Sequence, residues 1–334
     1  YYHACAVASD SKLYCWGRNH KGQLGNGSTV DSSKPVAVNT TGVLAGKTIK
    51  QISSGAYHTC VIASDDKVYC WGENSDGRLG NNSTANSSVP VAVNMSGVLA
   101  GKTIKQISSG HYHTCAVASD DKVYCWGSNE DGGLGNGSSS VSPVPVAVNT
   151  TGVLAGKTIK HLSAGPAYHT CVIASDDKVY CWGKNKNGEL GNGTIIDSNV
   201  PVAVNMSGVL AGKIIRRISI GAFHTCVDAT DNKIYCWGSN NYGQLGNNST
   251  TNTSTPTATY VFKKEDIPAN AMKIRAQYAK KTAATCQAVA AGWQDVTNNS
   301  ALAYSAAGPN NGTAIAAAAN DPGLPSTSVG YSYQ

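Results

Sequence analysis

A segment of about 55 residues recurs five times along this chain, and every copy carries two cysteines ten positions apart. The copies read YYHACAVASDSKLYCWG, AYHTCVIASDDKVYCWG, HYHTCAVASDDKVYCWG, AYHTCVIASDDKVYCWG and AFHTCVDATDNKIYCWG. Their first cysteines are Cys5, Cys60, Cys115, Cys171 and Cys226; the second are Cys15, Cys70, Cys125, Cys181 and Cys236. The spacing between copies is 55, 55, 56 and 55 residues, the extra residue being Pro166. A fixed period of this length means small units that bury their apolar faces only against one another, in a ring or a linear stack. One architecture therefore fills most of the 334 residues.

Each unit reads as short strands. In the second copy, apolar runs from Tyr57 to Ala63 and from Lys67 to Trp71 flank the polar turn Ser64-Asp65-Asp66. Asp66 falls where a three-residue hairpin loop needs a left-handed backbone, and Asn232 takes that place in the fifth copy. Both residue types tolerate this conformation. Pairing Ala63 with Lys67 sets Ile62 opposite Val68, Val61 opposite Tyr69 and Cys60 opposite Cys70. The cysteines then form a non-hydrogen-bonded pair with α-carbons about 4.5 Å apart, within disulfide range. Cys60, Ile62 and Val68 line one face of the hairpin; Val61, Tyr69 and Trp71 line the other. A sheet apolar on both faces needs cover on both sides. The turn-rich ENSDGRLGNNS, built on Gly77 and Gly80, leads to a strand at Val89 to Asn94, and a further strand holds Ile104 and Ile107. Four short strands per unit, repeated around an axis, make an all-β fold, the β-propeller.

The layout resembles the repeat of the regulator of chromosome condensation family. The likeness rests on His58 to Gly72 followed by Asn74, Gly77, Leu79 and Gly80. The same residues recur as Asn19, Gly22, Leu24 and Gly25, and as Asn240, Gly243, Leu245 and Gly246. It covers residues 1 to about 262 and implies a propeller, often seven-bladed in that family. The hairpin turn departs from the family, with Asp66, Asp121, Asp177 or Asn232 where glycine is usual. The paired cysteines look like those of secreted and surface-displayed bacterial relatives, which are binding or adhesive modules. The nuclear members' nucleotide-exchange activity is not carried over, because a shared fold does not transfer function.

Five bridged hairpins imply an oxidising compartment, hence an extracellular or cell-surface site. Each closes a small loop and contributes roughly 3 kcal/mol at most. A metal site is the rival reading, since His58 and Cys60 share a strand face opposite Cys70. It lacks a C-x-x-C pair and a fourth ligand. His3, His58, His113, His169 and His224 recur in every unit, as scaffold residues do. Cys286 has no partner at the repeat spacing and is read as a free or intermolecular thiol.

The net charge of +6 comes from lysines spread among the copies (Lys67, Lys122, Lys178), not from the basic stripe of a nucleic-acid groove. No run of about 18 apolar residues could span a membrane as a helix. Phosphate-loop and nucleophile-elbow motifs are absent, and no carboxylate pair is spaced for acid–base work. Asn74 to Gly77 and Asn129 to Gly132 echo two positions of a calcium loop and read as turns. No enzyme activity, cofactor or metal is expected. Dense N-x-S/T sequons, Asn39 and Asn94 among them, read as polar loops. The chain opens at Tyr1 inside a repeat, without methionine, as expected of a processed or truncated product.

Residues 263–334 form a separate tail. Its first part reads as a helix capped by Asp266 and running to about Ala291, or as a decayed half-unit; beyond Trp293 it is a low-complexity arm. The expected function is a non-enzymatic extracellular propeller binding a protein or glycan through the loops Arg18 to Ser33, Glu73 to Ser88, Ser128 to Ser142, Lys184 to Asn199 and Ser239 to Thr255. The alternative is a structural subunit of an extracellular filament, joined through the tail or Cys286.

Overall fold

The computed structural model describes residues 2–166 and 168–259, together with a short ladder between Ile315–Ala316 and Val329–Gly330 in a separate unit from residue 260 onward. The helix expected from Asp266, Cys286 and the low-complexity arm lie outside the described residues. The repeats form one compact unit ending at Thr259.

Blade 2 shows the plan. Its strands run Ile49–Ser54, His58–Ala63, Val68–Gly72 and Ser87–Ala92, in sequential antiparallel order. Blades 3, 4 and 5 repeat it, while blade 1 has three strands, His3–Val7, Leu13–Gly17 and Ser32–Ala37, matching the last three of the others. The hairpin register is the expected one: Ile62 faces Val68, Val61 faces Tyr69, and Cys60 faces Cys70. The Ala63 N–H donates to the Lys67 carbonyl at 3.1 Å and closes the turn. Asp66, Asp121, Asp177 and Asn232 sit at φ between 58° and 61°, the left-handed geometry the loop requires; Ser11 does the same in blade 1 at 63°.

Each facing cysteine pair is bridged, with α-carbons 4.1 Å apart in every blade. Cys60 and Cys70 are therefore not available as metal ligands, and His58 turns to the next blade.

The two apolar faces of a blade enter different cores. Cys60, Ile62, Val68 and Cys70 pack with Tyr124 and Trp126 of blade 3, whereas Val61, Tyr69 and Trp71 pack with Leu13, Cys15 and Leu24 of blade 1. The bridges of blades 1 to 4 thus each share a core with the tryptophan of the following blade. In blade 5, the last blade of the unit that ends at Thr259, Asp228 replaces the buried Ile62 or Ile173 and pairs with Arg216 at 2.7 Å. A carboxylate is tolerated there because solvent still reaches it.

A second set of contacts clasps blade to blade. His58 Nε2 meets Thr114 Oγ1 at 2.9 Å, as His3 meets Thr59, His113 meets Thr170 and His169 meets Thr225. Thr114 Oγ1 donates onward to the Arg78 carbonyl at 3.0 Å, and the Trp126 indole N–H donates to that same oxygen at 2.9 Å. With its hydrogen spent on the carbonyl, the threonine accepts from the imidazole, so the proton sits on Nε2. The Nδ1 atoms of His3 and His58 are buried without a hydrogen-bond partner. Blade 1 has Ala4 at the threonine position, opposite Trp16 in the register.

Burial also grades the bridges. The six sulfurs of blades 2, 3 and 4 are fully buried, while Cys5 and Cys226 in the outer blades are partly exposed. Under native conditions a small reductant should open Cys5–Cys15 and Cys226–Cys236 first. Alkylation followed by mass mapping should label those two pairs well before the rest. Uniform labelling of all five would contradict the sealed inter-blade packing.

Candidate functional site

Antiparallel order sends the first-to-second and third-to-fourth connections of a blade to one end, and the hairpin turn to the other. The two ends differ in how the copies vary. At the hairpin end the contacts repeat: Lys50–Asp66, Lys105–Asp121 and Lys160–Asp177 each lie at 2.5 Å. Tyr69, Tyr124 and Tyr180 each donate to Asp65, Asp120 or Asp176 at 2.7 Å. Desolvation, then the bond to the aspartate, holds these tyrosine pKa values well above the usual range. Repetition across blades 2, 3 and 4 marks this end as scaffold.

The opposite end combines a fixed frame with changing side chains. Asn74 is fully buried; its Nδ2 donates to Asn81 Oδ1, to the Ser83 carbonyl and to the Ala85 carbonyl, and its Oδ1 accepts from the Leu79 N–H. Gly80, at φ 68°, packs so tightly that a Cβ would meet the Trp126 indole at 2.7 Å. The same frame recurs at Asn19, Asn129, Asn185 and Asn240. The turns at Asn74 and Asn129 are therefore held by their own amides, as expected.

Between these fixed residues four positions change from blade to blade. They read Arg18, His20, Lys21 and Gln23 in blade 1, then Glu73, Ser75, Asp76 and Arg78 in blade 2. Blade 3 has Ser128, Glu130, Asp131 and Gly133; blade 4 has Lys184, Lys186, Asn187 and Glu189; blade 5 has Ser239, Asn241, Tyr242 and Gln244. One backbone thus presents a basic, two acidic, a basic and a neutral aromatic loop in order.

Beside these loops runs a row of rings. Tyr2, Tyr57, Tyr112, Tyr168 and Phe223 each precede the clasp histidine of their blade. The loop residue holds each in place through the backbone: the Glu73 N–H donates to the Tyr57 carbonyl at 2.9 Å, and Arg18 to Tyr2 at 2.7 Å. Ring centroids of Tyr2 and Tyr57 are 5.7 Å apart; those of Tyr112 and Tyr168 are 4.7 Å apart and nearly parallel. His111 stacks on Tyr112 at 3.9 Å and lies 5.6 Å from Tyr57. Cations fill the gaps. Arg18 sits 5.1 Å from the Tyr2 ring and 5.7 Å from Tyr57, Arg78 lies 4.9 Å over Tyr112, and Lys184 lies 5.3 Å from Tyr168 and 5.9 Å from Phe223.

The extra residue, Pro166, falls in this row. Tyr168 is its only member with a left-handed backbone, at φ 69°, a conformation that costs a non-glycine residue about 1 kcal/mol or more. The insertion leaves the blade strands unchanged in length, and Tyr168 still stacks on Tyr112.

The sequence-predicted loops supply the charged half of this surface. Their distal halves fold back onto the frame asparagine. The ten bridged cysteines lie within the blade hairpins and take no part. The ring row escaped sequence reading because Tyr57 reads as part of its strand, although the aligned copies carry an aromatic before each recurring histidine, His3, His58, His113, His169 and His224. Among the described residues no group of histidine, cysteine and carboxylate side chains is placed to hold a metal. The surface offers rings, cations and carboxylates side by side, the groups from which recognition surfaces are built.

Residues 1–301 match the family described as RCC1-like domain. The chain belongs to that family. It is 33% identical to the ultraviolet-B receptor UVR8 of Arabidopsis thaliana over 238 residues, which are 71% of this chain and 51% of that protein. It is 31% identical to the E3 ubiquitin-protein ligase HERC2 of Homo sapiens over 258 residues, 76% of this chain and 5% of HERC2. The chain thus spans about half of the first relative and a small part of the second. Among solved structures, human WBSCR16 aligns with a TM-score of 0.66 at 22% identity, covering 78% of this chain and 65% of that one. Yeast RCC1 (Prp20), solved with Kap60 bound, aligns at 0.65 and 20% identity, covering 79% and 63%. These likenesses establish the RCC1-like propeller fold.

Proposed function

We propose that this RCC1-like propeller is a non-enzymatic recognition module that works outside the cell or on its surface and holds a partner against the ring arc. The observation that carries the reading is the contrast between the two ends: side-chain contacts that repeat through blades 2, 3 and 4 at one, a changing set of charges and rings on a fixed frame at the other. In a repeat protein the positions that vary over an unchanging scaffold are the ones free to specify a ligand. Five bridged hairpins favour an oxidising compartment. A propeller of the same fold, yeast RCC1, is a protein binder in its complex with Kap60.

The test is a panel of purified extracellular proteins and glycans screened by surface plasmon resonance against three forms of the protein. Arg18→Ser with Tyr57→Ser and Lys184→Ser should weaken any specific contact by about 2 kcal/mol or more. Lys50→Ser with Lys105→Ser, on the hairpin end, should leave it unchanged. Loss confined to the hairpin-end variant would refute the assignment.

A further inference from the structure

The arc carries one cationic corner that its own chain leaves uncompensated. Arg78 is buried and held by Glu73 at 3.1 Å and by Asp76; Lys21 meets Glu73 at 3.4 Å; Lys184 meets Asp131 at 4.0 Å. Arg18 differs. It is exposed, lies beside the stacked Tyr2 and Tyr57 rings within cation–π distance of both, and has no carboxylate within ion-pair distance among the described residues. His20, also exposed, meets the Tyr57 ring edge-on at 5.5 Å. Partial burial and the Arg18 and Lys21 cations hold its pKa below the ordinary value, and the carboxylates of Asp31 and Glu73 only partly offset this. Positive potential therefore persists at this corner. An arginine held against two tyrosine rings loses little entropy when it binds and keeps its fork of N–H donors free for a planar anion.

We infer that the Arg18–His20 corner, with Tyr2 and Tyr57 as its walls, receives a side-chain carboxylate of a protein partner; the inference rests on the ring arc being the recognition face. A protein is favoured over a glycan by the corner itself and by the rest of the arc. At this corner the Tyr2 and Tyr57 rings are engaged with one another and with Arg18, which leaves a pyranose little ring surface to stack on; the exposed Tyr242 ring belongs to the blade 5 loop. The charge order also changes sign: Arg18 in blade 1 is followed by Glu130 and Asp131 in blade 3. A sulfated or uronate-rich chain would be attracted at the first and repelled at the second. A polypeptide carrying an acidic residue near one end and a basic residue further along satisfies both.

The test uses amide chemical-shift mapping on the isotope-labelled protein with three probes: acetyl-(Glu)4-amide, acetyl-(Lys)4-amide and a heparin-derived tetrasaccharide. The glutamate peptide should perturb residues 18–23 and Tyr57, the lysine peptide residues 128–132, and the tetrasaccharide neither set strongly. Arg18→Glu should weaken the glutamate peptide by about tenfold and leave the lysine peptide unaffected, which also shows that the variant is folded. Occupation of the corner by the tetrasaccharide alone, or no preference between peptides at residues 18–23, would overturn the carboxylate subsite while leaving the arc as recognition face. Shifts from every probe confined to the hairpin end would overturn both.

Discussion

Replacing Trp126 by alanine should lower the stability of the disulfide-intact protein by about 4 kcal/mol, among the largest losses available to a single substitution. The indole is fully buried in the core between blades 2 and 3, against Cys60, Leu79 and Tyr124. Its N–H satisfies the Arg78 carbonyl at 2.9 Å, and it fills the space above Gly80. Removing it opens a cavity that two rigid, bridged sheets cannot collapse into. The matched control is Trp16, the same repeat position in blade 1. That ring is only half-buried, since no sheet covers its outer side among the described residues. Trp16→Ala should cost about 1 kcal/mol. Urea unfolding followed by circular dichroism, without reductant, measures both. Equal losses would mean that the inter-blade core does not carry the stability of the array.

Acidification should unfold the propeller through its clasps. Burial drives the pKa of His3 and of His113 down to about 4 from an unfolded value of 6.5, and that of His58 well below its unfolded value. The Arg78 guanidinium adds to the effect at His58 and His113. The cause is visible in the clasp: Nε2–H is committed to a threonine, and a second proton on a buried Nδ1 would find no acceptor at His3 or His58. Below pH 6.5 the unfolded chain binds protons that the folded chain refuses. Stability is therefore complete above about pH 6.5 and falls as the pH drops toward 4. His3 and His113 each account for roughly 3 kcal/mol over that range. Thermal melts at pH 7.5, 6, 5 and 4 should show a steepening decline, and His113→Gln, which keeps a donor for Thr170, should flatten it. A melting temperature constant from pH 7.5 to 4.5 would refute the neutral-clasp description.

Much of the blade was legible before any coordinates. Alternation along Cys60-Val61-Ile62 and the polar turn at Asp65-Asp66 set the hairpin register, and the register brought Cys60 opposite Cys70. Sheets apolar on both faces required neighbours on both sides, and the two cores flanking blade 2 supply them. The candidate surface was only half legible. The loops carrying Arg18, Glu73 and Lys184 stood out as variable, but the tyrosines beside them read as strand residues, and the clasp histidines as scaffold without a stated partner.

Local alternation and turn chemistry act over a few residues, so the chain alone determined the hairpins, their bridges and the repeated propeller blade. The clasps join side chains 56 or 57 positions apart, the tryptophan bonds 48 or 49, and the ring arc assembles one residue from each blade. Such pairings have no local sequence signature. Only the tertiary structure decided which end of the blades gathers the rings and charges, because only packing one sheet on the next brings Arg18 and Tyr2 of blade 1 against Tyr57 of blade 2.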